Sequence, residues 1–204
     1  MRHQVAGTGA PSVPGTEGDD PGRDLMLRYQ NGDESAFDRL VTEYSPRVYA
    51  LLTRFLGPRA SREDLVQEVF LRVVRARERY QPTARFSTWL YAIVFRMSVN
   101  ETERRQTGFS LEAGAFEGGL ADERLPAPEA ALESQDRVRA VRQAIDELPP
   151  RQRMALVLSR YEGLSYEEVG RALGSTEKAI KSMVHRAREF LRRRLAPFLE
   201  EHAG

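Results

Sequence analysis

The chain has 204 residues, 41% of them hydrophobic and 30% charged, which suits one medium domain or two small, surface-rich ones around a packed core. It has no cysteine, so disulfides and thiolate metal sites are excluded, and His3, His185 and His202 are too scattered for a metal cluster. A net charge of +1 points to no partner; the distribution of charge along the chain is more informative.

No apolar run approaches the roughly 20 residues that span a bilayer. Residues 1–23 are rich in Gly, Pro, Thr and Asp where a signal peptide needs an apolar stretch, so they read as a disordered tail. A soluble, cytoplasmic protein without membrane insertion is expected.

A first helical block covers 24–106. Phe37, Leu40, Val41, Tyr44, Val48, Leu51, Leu52 and Phe55 recur at steps of three and four, the mark of an amphipathic helix. Asp33 is its expected N-cap, and Gly57-Pro58 ends it. Ser61 then caps a second helix, with Asp64 at the third helical position. Leu65, Val66, Val69, Phe70, Val73 and Val74 form that helix's predicted buried stripe, and Gln81-Pro82 breaks it. Phe86, Trp89, Leu90, Ile93, Val94 and Met97 stripe the next. No segment alternates with a period of two, so the block is all-α.

Between 107 and 133 the periodicity vanishes. Six Gly and Pro positions (Gly108, Gly114, Gly118, Gly119, Pro126, Pro128) interrupt the segment, and acidic residues outnumber the single Arg124. This composition predicts a flexible acidic linker. About 26 residues extend to roughly 85 Å, enough for the flanking domains to sit some two turns of DNA apart.

The second block covers 134–204. Val138, Val141, Ile145 and Leu148 mark one helix, ended by Pro149-Pro150; Met154, Val157, Leu158 and Tyr161 mark another, closed at Gly163. Ser165 and Glu168 then form a predicted capping box, with Leu164 placed to staple onto Val169. A short helix to Leu173, a turn at Gly174-Ser175 and a long helix over 176–195 give the order of a helix-turn-helix, whose second helix enters the major groove.

That last helix carries Lys178, Lys181, Arg186, Arg188, Arg192, Arg193 and Arg194 against Glu177 and Glu189. Taken alone it fits a solvated basic surface as well as a phosphate-binding one. After a capped helix and a glycine turn, DNA binding is the better reading. Ile180, Val184, Ala187 and Leu191 hold one face to the core, which leaves Lys178, Lys181, Ser182 and His185 on the side that reads base edges.

Two other places carry chemistry. Asp64, Gln67, Glu68 and Leu71 share a helix face suited to basic side chains of a partner, although Asp64 could merely complete the cap and Gln67 and Glu68 be solvated. Tyr91 and Phe95, four apart and off the main stripe, fit either exposed platforms for unstacked bases or packing against a neighbouring helix; Arg85, Arg96, Arg104 and Arg105 offer phosphate contacts nearby. Trp89 lies on the stripe and reads as core. No nucleophile–base set, metal cluster or phosphate loop appears, so no enzyme, cofactor or small-molecule substrate is expected.

Several segments together resemble the extracytoplasmic-function sigma factors of the sigma-70 family. They are Leu148-Pro149 leading to Arg153, Tyr161-Glu162-Gly163-Leu164-Ser165-Tyr166-Glu167-Glu168-Val169, and Ala179-Ile180-Lys181-Ser182-Met183-Val184-His185-Arg186-Ala187-Arg188. Asp64-Leu65-Val66-Gln67-Glu68-Val69-Phe70 looks like that family's polymerase-binding helix, and Phe86-Ser87-Thr88-Trp89-Leu90-Tyr91-Ala92-Ile93 like its promoter-melting and minus-ten segment.

The resemblance implies two all-α bundles on a flexible linker, with partners in core RNA polymerase, promoter DNA and an anti-sigma factor. It assigns Asp64, Gln67, Glu68 and Leu71 to the polymerase clamp. It assigns Tyr91, Phe95, Arg96, Arg104 and Arg105 to the minus-ten element, and Lys178, Lys181, Ser182, His185, Arg186 and Arg188 to the minus-thirty-five element. The chain departs from the family pattern at Arg96, where many relatives carry asparagine. It departs again where Lys178-Ala179-Ile180-Lys181-Ser182-Met183 replaces the usual Gly-Thr-Val-Lys-Ser-Arg, so base preference does not carry over. The competing interpretations are a sigma-like decoy that holds an anti-sigma factor, and a plain helix-turn-helix repressor.

Overall fold

The computed structural model describes residues 20–57, 62–106 and 128–200, apart from the side chains of 104–106, 128–136 and 198–200. Among the described residues there are eight α-helices, one 3-10 turn and no strand. Of the linker predicted over 107–133, residues 107–127 lie outside them, as does the cap at Ser61, and 128–133 are helical.

Helix α1, Pro21–Gln30, begins three residues inside the segment read as tail. The carboxylate of Asp20 accepts the Arg23 main-chain N–H at 3.3 Å, and Pro21 supplies a helical φ at the first position. Leu25, Met26 and Tyr29 then bury one face. A turn at Gly32, with φ at 101°, leads to α2, Glu34–Leu56. Asp33 occupies the N-cap position as predicted, but its side chain is taken by Arg28 and Ser35 instead of the helix N–H groups.

Helix α2 runs through Pro46. An interior proline costs about 3 kcal/mol, whereas each large side chain fully buried returns about 1.5–3 kcal/mol. Leu40, Tyr44, Val48, Leu51, Leu52 and Phe55 are all buried, so burial wins. Gly57, at φ 70°, closes the helix.

Helix α3, Arg62–Arg75, packs on α2 through Val69, Phe70 and Val73, and a 3-10 turn at Arg77–Arg79 follows. Val74, predicted to be buried, stands exposed, because the helix turns it past the contact with α2. Helix α4, Phe86–Gln106, completes the first bundle. Its first N–H, on Phe86, is capped across the bundle by Asp20 at 2.8 Å. One carboxylate therefore fixes the starts of two helices. Phe86, Leu90, Tyr91, Ile93, Val94, Phe95 and Met97 are all buried, more of the circumference than a single-stripe helix would cover.

The second bundle holds α5, Pro128–Asp146; α6, Pro150–Tyr161; α7, Tyr166–Leu173; and α8, Glu177–Glu200. Helix α5 starts six residues before the predicted boundary. Of its predicted stripe, Leu148 (just beyond its end) is buried and Val138 and Val141 are exposed. Within the bundle it packs on α8, and Ala144 near its end is buried. Arg194 of α8 donates to both carboxylate oxygens of Glu147, at 3.0 and 3.2 Å, tying the two ends together.

The two bundles are not held apart. Helix α4 packs on α7, and the C-terminal end of α2 on α6, so one apolar core runs through both. Arg153 of α6 is the polar stitch. Its buried guanidinium donates to the Phe55 carbonyl at 2.9 Å and the Leu148 carbonyl at 3.3 Å, and also bonds the carboxylate and main-chain oxygen of Asp146. The Phe55 carbonyl belongs to the last turn of α2, where no helical N–H remains to satisfy it. Burial lowers the pKa of Arg153, and the adjacent Asp146 partly offsets this.

Candidate nucleic-acid interface

The helix-turn-helix is built from local chemistry. Ser165 N–H donates to the Glu168 carboxylate at 2.9 Å while Glu168 N–H donates to Ser165 Oγ at 3.2 Å, the reciprocal capping box read from sequence. Gly174 ends α7 in the left-handed conformation, φ 58°. Ser175 N–H then reaches back to the Gly170 carbonyl at 2.8 Å. A side chain at Gly170 is excluded, because its Cβ would lie 2.8 Å from the Ser175 carbonyl oxygen. Thr176 Oγ1 accepts the Ala179 N–H at 3.2 Å and so starts α8.

Ile180, Val184 and Ala187 of α8 are buried, which orients the helix. Lys178, Lys181, Ser182, His185, Arg186 and Arg188 are all exposed. The six share the outer part of one helix, where Lys178, Lys181, Arg186 and Arg188 supply four positive charges. Farther along, Arg192 pairs with Glu189 and Arg194 with Glu147. Two cations of the second half are thus spent on carboxylates, while exposed Arg193 donates its Nε to the Glu189 carbonyl.

On α3, Asp64 and Gln67 are exposed, and Leu71 is 49% exposed. Glu68 is half-buried and accepts ion pairs from Arg72 at 3.2 Å and Arg75 at 3.4 Å, so it serves its own helix as well as facing outward. Exposed Val74 lies three residues after Leu71 and extends the same face with an apolar group. Sequence reading missed it because a valine at that spacing normally joins the core; its place one position beyond Val73 was the available signal.

On α4 the expected exposed platforms are absent. Tyr91 is 2% and Phe95 6% exposed, both covered by the C-terminal bundle. Tyr91 Oη donates to Glu162 Oε2 at 2.7 Å, and Arg54 approaches the other oxygen of that carboxylate at 3.4 Å. Burial, and then the Glu162 charge, raise the Tyr91 pKa, so the hydroxyl remains a donor at neutral pH. Arg151 lies 5.8 Å from the centre of the Phe95 ring. Of the two uses open from sequence, packing is the one realised in this conformation. Arg96 is exposed, with Nε donating to the Ala92 carbonyl at 3.2 Å, and Arg104 and Arg105 lie on the last turns of the helix. Trp89 is half-buried, edge-on to Tyr80 at 4.9 Å, in line with its reading as core.

Glu162 and Glu168 were the contributors that sequence patterning did not single out for this interface. Glu168 spends one oxygen on the capping box and turns the other toward Arg85 of the first bundle at 3.6 Å. Among the described residues no cluster of metal-binding side chains occurs, and no helix is long and apolar enough to cross a membrane.

A capped two-helix turn presenting a basic face, packed beside a second helical bundle, defines a DNA-binding protein of the helix-turn-helix class. Family models place it more closely: Sigma-70 region 2 matches residues 40–107, and Sigma-70, region 4 matches residues 138–191. The chain is 33% identical over 183 residues to the RNA polymerase sigma-H factor of Pseudomonas aeruginosa, covering 87% of this chain and 95% of that protein. It is also 33% identical over 181 residues to the ECF RNA polymerase sigma-E factor of Escherichia coli K12, covering 86% and 94%. The sigma factor RpoE from Bartonella quintana, solved in complex with the anti-sigma factor NepR, superposes with a TM-score of 0.58 at 25% identity, over 78% of this chain and 96% of that one. The chain belongs to the sigma-70 family, within its extracytoplasmic-function group of sigma factors.

Proposed function

We propose that three surfaces divide the work of initiation. The α3 face of Asp64, Gln67, Glu68 and Leu71 docks on core RNA polymerase. The α8 face of Lys178, Lys181, Ser182, His185, Arg186 and Arg188 holds the minus-thirty-five duplex. The α4 residues Tyr91, Phe95 and Arg96, with Arg104 and Arg105, hold the opened minus-ten strand. In this reading the helices within 21–106 form the polymerase-binding domain and those within 128–200 the upstream DNA-binding domain, with 107–127 as the linker between them and 1–19 as a tail. The protein works in the cytoplasm, holds no catalytic group of its own and leaves nucleotidyl transfer to the polymerase. An anti-sigma factor is its expected inhibitor, as NepR is found with RpoE.

The observation that carries this is the presence, on one chain, of an outward acidic–apolar face on α3 and an outward basic face on α8. Runoff transcription with purified core polymerase is the test: promoter-specific transcripts support the reading, and their absence refutes it. A decoy that only titrates an anti-sigma factor would give none, and it would leave the basic face of α8 without a use.

A further inference from the structure

We infer that α1 is a brace for the segment leading into α4, and that Asp20 and Gln30, at its two ends, are positioning residues for strand opening. The inference rests on the reading of α4 as the helix that holds the opened minus-ten strand, and adds two residues outside that helix on which its placement depends.

The two ends of α1 hold the two ends of that segment. Where it begins, Gln30 Nε2 donates to the carbonyls of Arg77 at 2.9 Å and Tyr80 at 3.2 Å, with that of Glu78 at 3.4 Å. Arg77 is held a second time, its guanidinium 4.2 Å from the centre of the Tyr29 ring and paired with Glu34 at 2.8 Å. Where the segment ends, Asp20 Oδ2 accepts the Phe86 N–H at 2.8 Å. The local sequence offers α4 no carboxylate there. Arg85, just before the helix, has a side chain without an acceptor, and the first turn carries no acidic residue. The group that satisfies this helix start, and complements its dipole, comes from 66 residues away.

The lengths make this a constraint. The 10 residues of α1 form a rod about 15 Å long, and the path from Tyr80 to Phe86 reaches roughly 20 Å at full stretch. Pinned at both ends to such a rod, the segment has little slack. It is taken up in one tight turn, where Thr83 N–H returns to the Gln81 carbonyl at 2.8 Å and Gln81, Pro82 and Thr83 stand exposed. Tyr80 and Phe86, at the two anchors, are both buried. Leu25, Met26 and Tyr29 already seat α1 on the core, so Gln30 spends its amide wholly on the neighbouring segment. Neither Asp20 nor Gln30 belongs to the faces of α3 and α8 assigned to polymerase and duplex.

The test uses the full-length chain with core polymerase on the promoter that yields the parent's runoff transcript. That promoter is supplied as a duplex and with its strands mismatched across the minus-ten element. Transcript yield is measured on both, and permanganate reactivity of unpaired thymines reports opening of the duplex. Asp20→Ala removes the caps of α1 and α4 together. Gln30→Glu keeps the shape but turns acceptors toward the carbonyls of Arg77 and Tyr80. Each should lower opening and yield on the duplex roughly fivefold, the scale of one helix cap lost. On the mismatched template, where no melting is needed, yield should stay near that of the parent. Asp20→Asn, whose amide oxygen still accepts the Phe86 N–H, should open the duplex as the parent does. Undiminished opening by both Asp20→Ala and Gln30→Glu overturns the inference. An equal loss on the two templates also overturns it, because a weakened fold fails on both alike. A parent that makes no transcript removes the reading of α4 itself, and the inference with it.

Discussion

Arg153 of α6 donates a hydrogen bond to the main-chain carbonyl of Phe55 in α2, 98 residues away in sequence, at 2.9 Å. The same guanidinium satisfies oxygens of Asp146 and Leu148, so one side chain closes the C-terminal end of α2 and holds the α5–α6 corner. Replacing it with methionine keeps most of the volume and leaves those buried carbonyls without a donor. Arg153→Met should cost about 2–4 kcal/mol in urea denaturation. Arg153→Lys keeps the charge but loses the planar fork, and should recover only part of the loss.

Gly22 sits where α1 meets the core, and a Cβ there would lie 2.3 Å from Tyr44 Oη and 2.6 Å from the Phe86 ring. Both rings are buried and neither has room to retreat. Gly22→Ala should therefore destabilise the chain by about 1–3 kcal/mol despite the better helix propensity of alanine. Adding Tyr44→Phe removes the nearer clash alone, so a double-mutant cycle should show partial rescue.

Two glycines of the helix-turn-helix should behave differently. At Gly170 a Cβ meets the Ser175 main-chain oxygen at 2.8 Å, so Gly170→Ala must displace the turn that aims α8. Melting temperature and duplex affinity, the latter by fluorescence anisotropy, should both fall. At Gly174 nothing lies within 4 Å, and only the positive φ of 58° opposes a side chain. Gly174→Ala should cost about 1 kcal/mol and leave duplex affinity near that of the parent.

Truncating exposed cations on α8 should show in the salt dependence of duplex binding. Lys181→Ala and Arg186→Ala each remove one charge that can neutralise a phosphate, so each should make the slope of log K against log salt shallower by about 0.9. A variant whose affinity drops at one salt concentration while its slope is unchanged was not neutralising a phosphate through that side chain.

Leu71 and Val74 are exposed apolar side chains three apart on α3, with little to lose in the free protein. Leu71→Ala and Val74→Ala should leave urea stability within about 0.5 kcal/mol of the parent. Titration of core polymerase with labelled protein should nevertheless show weaker binding for each, because a partner surface would bury them.

Much of the molecule was legible from local chemistry. The three- and four-residue spacing on α2, the capping box of Ser165 and Glu168, the turn at Gly174 and the outward cations of α8 all depend on neighbours within one or two helical turns. A periodic pattern encodes such features without reference to the rest of the chain. The first helical block, read as starting at 24, in fact starts at 21: the Asp20 cap and Pro21 are valid helix signals, but they sit in a segment whose bulk composition reads as tail.

The tertiary structure decided which of several permitted partners each ambiguous side chain took. Asp20 reaches Phe86 across 66 residues, Tyr91 finds Glu162 across 71, and Val74 and Val141 face outward although their spacing suits a core. Periodicity says only that a residue lies on a given face of its helix. What covers that face is set by how separate helices pack, and those contacts join residues too far apart for any local pattern to register.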